Sequence, residues 1–294
     1  MTDRARQSID AVRVFPLGVA LLVAAHLTLG GCPNDAPLTQ AYGVSNRVSG
    51  FDPRANGLHF NNEFPPGSVY FPLTLPGLGT VYSSDAHDGM CDGFVLTVLD
   101  LFLHEPPLIP PADTAPPALD TPLFGYLAQR EVDCFFYAGL RNFWKAAEWV
   151  HTPSGDTDVD TPLGRVVTTR GLAWHTIVEE WPWVKEDIDA GRPSPLWLVT
   201  TSPVPAADLQ QTITALTNHH QVLAYAYSLD DAATLTLSIY EPQRHDSASQ
   251  TVTLNIANPE CGAEIAVPSL APTVVRGFFR SAYELRDASS IAPN

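Results

Sequence analysis

"HHQVLAYAYSLDDAATLTLSIYEP" (His219–Pro242) holds two β-rich runs either side of a pair of aspartates. Valine, leucine, isoleucine, tyrosine and threonine dominate both runs, and Asp230 and Asp231 are turn formers, so the stretch reads as a β-hairpin. A turn centred between the aspartates pairs Val222 with Ile239, Ala224 with Leu237 and Ala226 with Leu235. Side chains alternate along a strand, so one face of this pair is apolar throughout and should lie on the core. The same register sets His220 opposite Glu241 on that face, at the open end, and turns His219 away. The two alanines leave room for a helix to approach.

The helix expected to cover that face is Gly89–His104, "GMCDGFVLTVLDLFLH". Its apolar residues run nearly all the way round, the pattern of a buried central helix, and Glu105-Pro106-Pro107 ends it. Cys91 stands at its start. A thiol there is favoured as thiolate by the helix N-terminus and by a nearby imidazolium, so Cys91, His220 and Glu241 together form a nucleophile, a base and its orienting acid. The Leu96 and Leu99 turn should pack against Ala224, Ala226 and Leu237. Further helices are expected at Leu123–Val150 and Thr176–Ala190, the latter broken early by Pro182. Strands are expected at "PLWLVTT", "QTVTLNI" and "TVVRGFFR" as well as in the hairpin. Helices first and strands afterwards indicate an α+β domain with an antiparallel sheet.

The blocks "GMCDGFVLTVLD", "NHHQVLAYAY" and "IYEP" resemble the Cys, His and Asp/Asn blocks of papain-like cysteine peptidases, most nearly a bacterial branch with blocks resembling G-L-C-G-G-M, N-H-Q-V-L-A-Y and Y-D-P-N. The likeness spans about residues 58–283 and is strong in the three blocks. It implies a central helix carrying Cys91 as nucleophile, packed on an antiparallel sheet carrying His220 as general base and acid and Glu241 as orienting acid. A peptide or amide bond would be cleaved through a thioester, with no cofactor or metal. Three departures stand out. Asp92 follows the cysteine where the branch has glycine, Glu241 replaces aspartate, and Asp85 sits where such enzymes carry an oxyanion-binding glutamine. Asp85, Asp88 and Asp92 also oppose thiolate formation. Two other readings fit the same residues: a transglutaminase-like acyltransferase, and a papain fold without activity that serves as a binding module.

Upstream, Arg4, Arg6 and Arg13 precede an apolar run, Val14–Leu29, and then Leu29-Gly30-Gly31-Cys32. This resembles the signal peptide and lipobox of bacterial lipoproteins. Residues 1–31 are then a leader, Cys32 the lipidated residue, 32–50 a tether and 51–294 the hydrolase domain, held at the outer side of a bacterial membrane by its lipid alone. Three cysteines remain. In an oxidising compartment two can pair, and Cys134–Cys261 is the pairing that leaves Cys91 reactive, although spacing does not establish it.

The formal net charge is −16, with 16 Lys and Arg against 32 Asp and Glu. No basic cluster is available to neutralise phosphates, which argues against nucleic acid and anionic headgroups as partners. His87, His104, His219 and His245 read as surface or polar-core residues, and no close Cys/His spacing suggests structural zinc. Trp174, Trp181, Trp183 and Trp197 read as core or groove walls.

Overall fold

The computed structural model describes residues 41–68, 70–75, 79–160, 166–205, 209–244 and 250–293. The expected leader, Cys32 and His245 lie outside them. Among the described residues no helix is long and apolar enough to cross a membrane.

The fold is α+β. Its main sheet is antiparallel, in the order β10 (Gly277–Arg280), β6 (Ser194–Val199), β7 (His220–Leu229), β8 (Thr234–Tyr240), β9 (Thr251–Asn255). All five expected strands are present. A sixth, β1 (Val44–Arg47), pairs with the far half of β7, beyond the half taken by β6. The domain therefore starts inside the segment read as a tether, and Val48 and Phe51 just after β1 are already core residues. Two small hairpins, β2 (Tyr70–Leu75) with β3 (Gly79–Asp85) and β4 (Thr157–Asp160) with β5 (Val166–Thr169), stand apart from the main sheet.

Helix α1 (Cys91–Leu103) is buried from Cys91 to Leu101, which is what its all-round apolar sequence requires. It packs on β7 and against α2 (Pro122–Trp149), whose first turn is capped by Thr121. Gly93 permits the close approach of α2: a β-carbon there would lie 2.3 Å from the Leu127 carbonyl oxygen. Leu99 shares a core cluster with Ala224 and Leu237, whereas Leu96 belongs to a second cluster with Cys134 and Trp197. Pro182 does not break its helix. A short turn (Leu172–Trp174) and a π-helical stretch (His175–Glu180) lead directly into α3 (Trp181–Asp189), which puts Pro182 in the first turn, where its missing N–H costs little. Helix α4 (Leu209–Thr217) delivers the chain to His219 and β7.

Further along α1, Asp100 is fully buried against the equally buried Arg130 of α2, at 2.8 Å. Its carboxylate also accepts from Tyr126 Oη (2.8 Å), Tyr283 Oη (2.7 Å) and the Arg286 N–H (2.9 Å). Arg130 also meets Asp133 and the Glu284 carbonyl. This network ties both helices to the C-terminal segment.

The hairpin exists with a different register. Ala224 faces Ile239, but beyond a bulge at Tyr225 the pairs are Ala226–Ser238, Tyr227–Leu237 and Leu229–Leu235. The loop is longer than a two-residue turn. Asp230 closes it by accepting from the Ala232 and Thr234 N–H groups, at 3.0 and 2.8 Å, while Ala233 takes the left-handed conformation (φ 61°). The extra residue switches the side-chain parity of the rest of β7, so Tyr227 and Leu229 turn inward alongside Leu235 and Leu237.

The Cys134–Cys261 bridge is not formed. Both thiols are free; Cys134 is buried in α2 and Cys261 is exposed in a 3₁₀ turn, Pro259–Cys261.

Candidate active site

Cys91 is the first residue of α1, and its thiol is buried against the start of β7. The helix start is held by Asn62, whose side-chain oxygen accepts from the Met90 N–H at 2.9 Å. Burial pushes the Cys91 thiol well above its ordinary value, and the charges of Asp92 and Glu131 add to this; the Gln221 backbone N–H, directed at the sulfur, pulls the other way. Of the three aspartates expected to oppose the thiolate, Asp92 does so. Glu131 of α2 was not foreseen. Its carboxyl, raised by burial and by Asp92, accepts from the Gly93 N–H at 2.8 Å, a contact that sequence spacing does not reveal.

His220 and Glu241 meet as expected, though not as directly opposed residues. In the observed register they are same-face neighbours offset by two residues, a diagonal whose backbone separation is about 7–8 Å. The additional methylene of glutamate relative to aspartate suits that span. His220 Nε2 lies 2.8 and 2.9 Å from the two Glu241 oxygens, and both side chains are buried. Glu241 also accepts from the Gln243 N–H and from Ser269 Oγ, each at 3.1 Å. Burial alone would raise its carboxyl; His220 and these two donors outweigh burial and hold it below the ordinary carboxylate value. With Nε2 donating to the carboxylate, Nδ1 carries the lone pair of the neutral ring.

His219 is where the expectation fails. It does not turn away. It precedes the strand, so strand alternation does not govern it, and its Nε2 lies 2.9 Å from Asp92 Oδ2. Its Nδ1 donates to the Leu216 carbonyl at 2.7 Å, and its ring stacks on Trp197 with centroids 3.8 Å apart. A ring nitrogen of His219, an Asp92 oxygen and Cys91 Sγ all lie within 4.8 Å of one another. Two histidine–carboxylate pairs therefore flank one cysteine. Both nitrogens of His219 face oxygen acceptors, whereas among the described residues the His220 ring bonds only to Glu241. No hydrogen bond joins the Cys91 sulfur to the His220 ring among the described residues; such contacts commonly tighten only when substrate is bound.

Asp85 is engaged by backbone N–H groups. Its carboxylate accepts from the N–H groups of Gly67, Ser68 and His87, at 2.6, 2.9 and 3.0 Å, and organises the turn before α1. Asn62 is the polar residue that sequence reading missed. Its backbone N–H donates to the Pro242 carbonyl, next to Glu241, and its buried Nδ2 has no hydrogen-bond partner among the described residues. It thus joins the segments on both sides of the site. No family model, curated protein or solved structure matches this chain.

Proposed function

We propose that this chain is a papain-like cysteine hydrolase of peptide or amide bonds, with Cys91 as nucleophile, His220 as base and then acid, and Glu241 as the group that fixes the tautomer. The observation that carries the reading is the buried His220–Glu241 pair, which leaves a lone pair on the ring beside the strand residue whose N–H meets the thiol. His219 is a poorer base because its two nitrogens are already directed at acceptors. Burial and the neighbouring acids favour a neutral resting thiol. His220 then removes the proton during attack on the carbonyl, and Glu241 stabilises the imidazolium that results. The ring returns that proton to the leaving amine, and water, deprotonated by the same nitrogen, hydrolyses the thioester. The Cys91 backbone N–H and Asn62 Nδ2 are the donors for the oxyanion.

The same crowd of acids supports a second reading, an inactive papain-like fold that binds peptides. A peptidyl chloromethyl ketone separates the two. Labelling of Cys91 that disappears in His220→Ala supports the hydrolase, and absence of labelling at every pH supports the binder. The lipobox-like Leu29–Cys32 supports attachment at the cell envelope, and Cys32→Ser should release the protein from the membrane fraction or block its processing.

A further inference from the structure

We propose that Cys91, Asp92 and His219 form a binding site for one Zn²⁺-type ion, and that occupancy silences the thiol. One donor atom from each residue already lies within 4.8 Å of the other two, which small side-chain adjustments convert to first-row metal coordination distances of about 2.0–2.3 Å. The donor set is one sulfur, one imidazole nitrogen and one carboxylate oxygen. It suits a borderline-soft ion and not Mg²⁺ or Ca²⁺, which select oxygen.

The orientation of the His219 ring suits a metal ligand. Nδ1–H is committed to the Leu216 carbonyl, which leaves Nε2, 2.9 Å from the Asp92 carboxylate, as the ring nitrogen available to a metal ion. A metal ion at Nε2 would take the place of the proton that joins the ring to the carboxylate. A metal-binding histidine is typically oriented in this way, with its other nitrogen donating to a backbone carbonyl. The Trp197 stack fixes the ring plane. The surroundings are acidic: Asp92, Glu131 and Glu241 all act electrostatically on the Cys91 thiol. Zn²⁺ would displace the thiol proton and the proton shared by His219 and Asp92. His220 has no part in the site.

The silencing of the thiol rests on the nucleophile reading above; the binding of the ion does not. The test uses metal-stripped, tag-free protein, with Zn²⁺ measured by titration calorimetry and Co²⁺ by absorption. One equivalent should bind, Co²⁺ should give a thiolate charge-transfer band that Cys91→Ser removes, and Zn²⁺ should protect wild-type Cys91 from iodoacetamide. Affinity should fall about 100-fold or more in His219→Ala, beyond the 10–100-fold typical of an outer-shell change, and should persist in His220→Ala. Should His219→Ala not fold, the wild-type Co²⁺ band and Zn²⁺ protection still decide. No stoichiometric binding, a spectrum without sulfur, or affinity lost in His220→Ala but kept in His219→Ala would overturn the site. Protection by Zn²⁺ without any hydrolysis would sustain the site and count against the hydrolase; hydrolysis indifferent to Zn²⁺ would do the reverse.

Discussion

Helix α1 carries two buried aspartates, and their surroundings differ in kind. Asp100 is met by the Arg130 guanidinium, two tyrosine hydroxyls and the Arg286 N–H. Asp92 is met by one imidazole and by the Cys91 and Cys134 thiols, which are directed at its carboxylate, and the Glu131 carboxyl lies beside it. Burial raises the Asp100 carboxyl even against all its donors, so that network is a costly arrangement in which every group nevertheless has a partner. At the Cys91 end the acids are met by imidazoles, thiols and backbone N–H groups where Asp100 has a guanidinium. A buried centre that is fully compensated fixes geometry, whereas one left short of positive charge is poised to exchange a proton, a substrate or a metal ion.

The comparison can be broken most severely at the thiol. Cys91→Ala should reduce hydrolysis to the uncatalysed background, and His220→Ala should do nearly as much, with both variants folded by circular dichroism. Next in size is Asp100→Asn, which strips Arg130 of its main counter-charge. It should destabilise by about 3–5 kcal/mol, read from the urea midpoint at unchanged slope. Asp92→Asn in the same assay should stay within about 1 kcal/mol, since the amide can still hydrogen-bond His219 Nε2 through either its oxygen or its NH₂ and a charge is removed from an acidic pocket. Equal losses at the two positions would erase the distinction between the two ends of the helix.

Two smaller effects sharpen the catalytic end. Asn62→Ala should lower kcat by about 10²–10³, the usual worth of one oxyanion donor, with little change in KM. Glu241→Gln should cost roughly 10². It keeps an acceptor for His220 Nε2 and loses the charge that supports the imidazolium. A Glu241→Gln loss as large as that of His220→Ala would mean that Glu241 does more than orient the ring.

Much of this arrangement is legible along the chain. Helices α1 and α2 fall within about two residues of their sequence bounds, because long apolar runs end at prolines or capping residues. The five sheet strands are equally plain. The hairpin register is not, since it depends on a four-residue loop closed by Asp230 and on a bulge at Tyr225, and neither leaves a periodic trace. Glu241 still reached His220 because the register moved by an even step at the open end, which preserves the face. β1 was hidden by its polar sequence, Val-Ser-Asn-Arg, which joins the sheet edge through its backbone. His219 and Glu131 act from outside any strand alternation, and Asn62 comes from a loop.

The smallest effect tests which histidine serves the thiol. Iodoacetamide alkylation measures the thiolate fraction, and at pH 7 the wild-type rate should be slow because burial, Asp92 and Glu131 hold the thiol above its ordinary value. Asp92→Asn removes a like charge, which favours the thiolate, so its rate–pH curve should move toward lower pH and the rate at pH 7 should rise severalfold. The direction matters more than the size. If His219 with Asp92 were the activating pair, losing the carboxylate would weaken the imidazolium beside the sulfur, and the curve would move toward higher pH. Glu241→Gln provides the complementary measurement. Glu241 is the weakest of the acids acting on the thiol and couples chiefly to His220, so losing its support for that imidazolium should outweigh the relief of like charge and slow alkylation. Opposite shifts for Asp92→Asn and Glu241→Gln would therefore assign the base to His220, and interchanged shifts would assign it to His219.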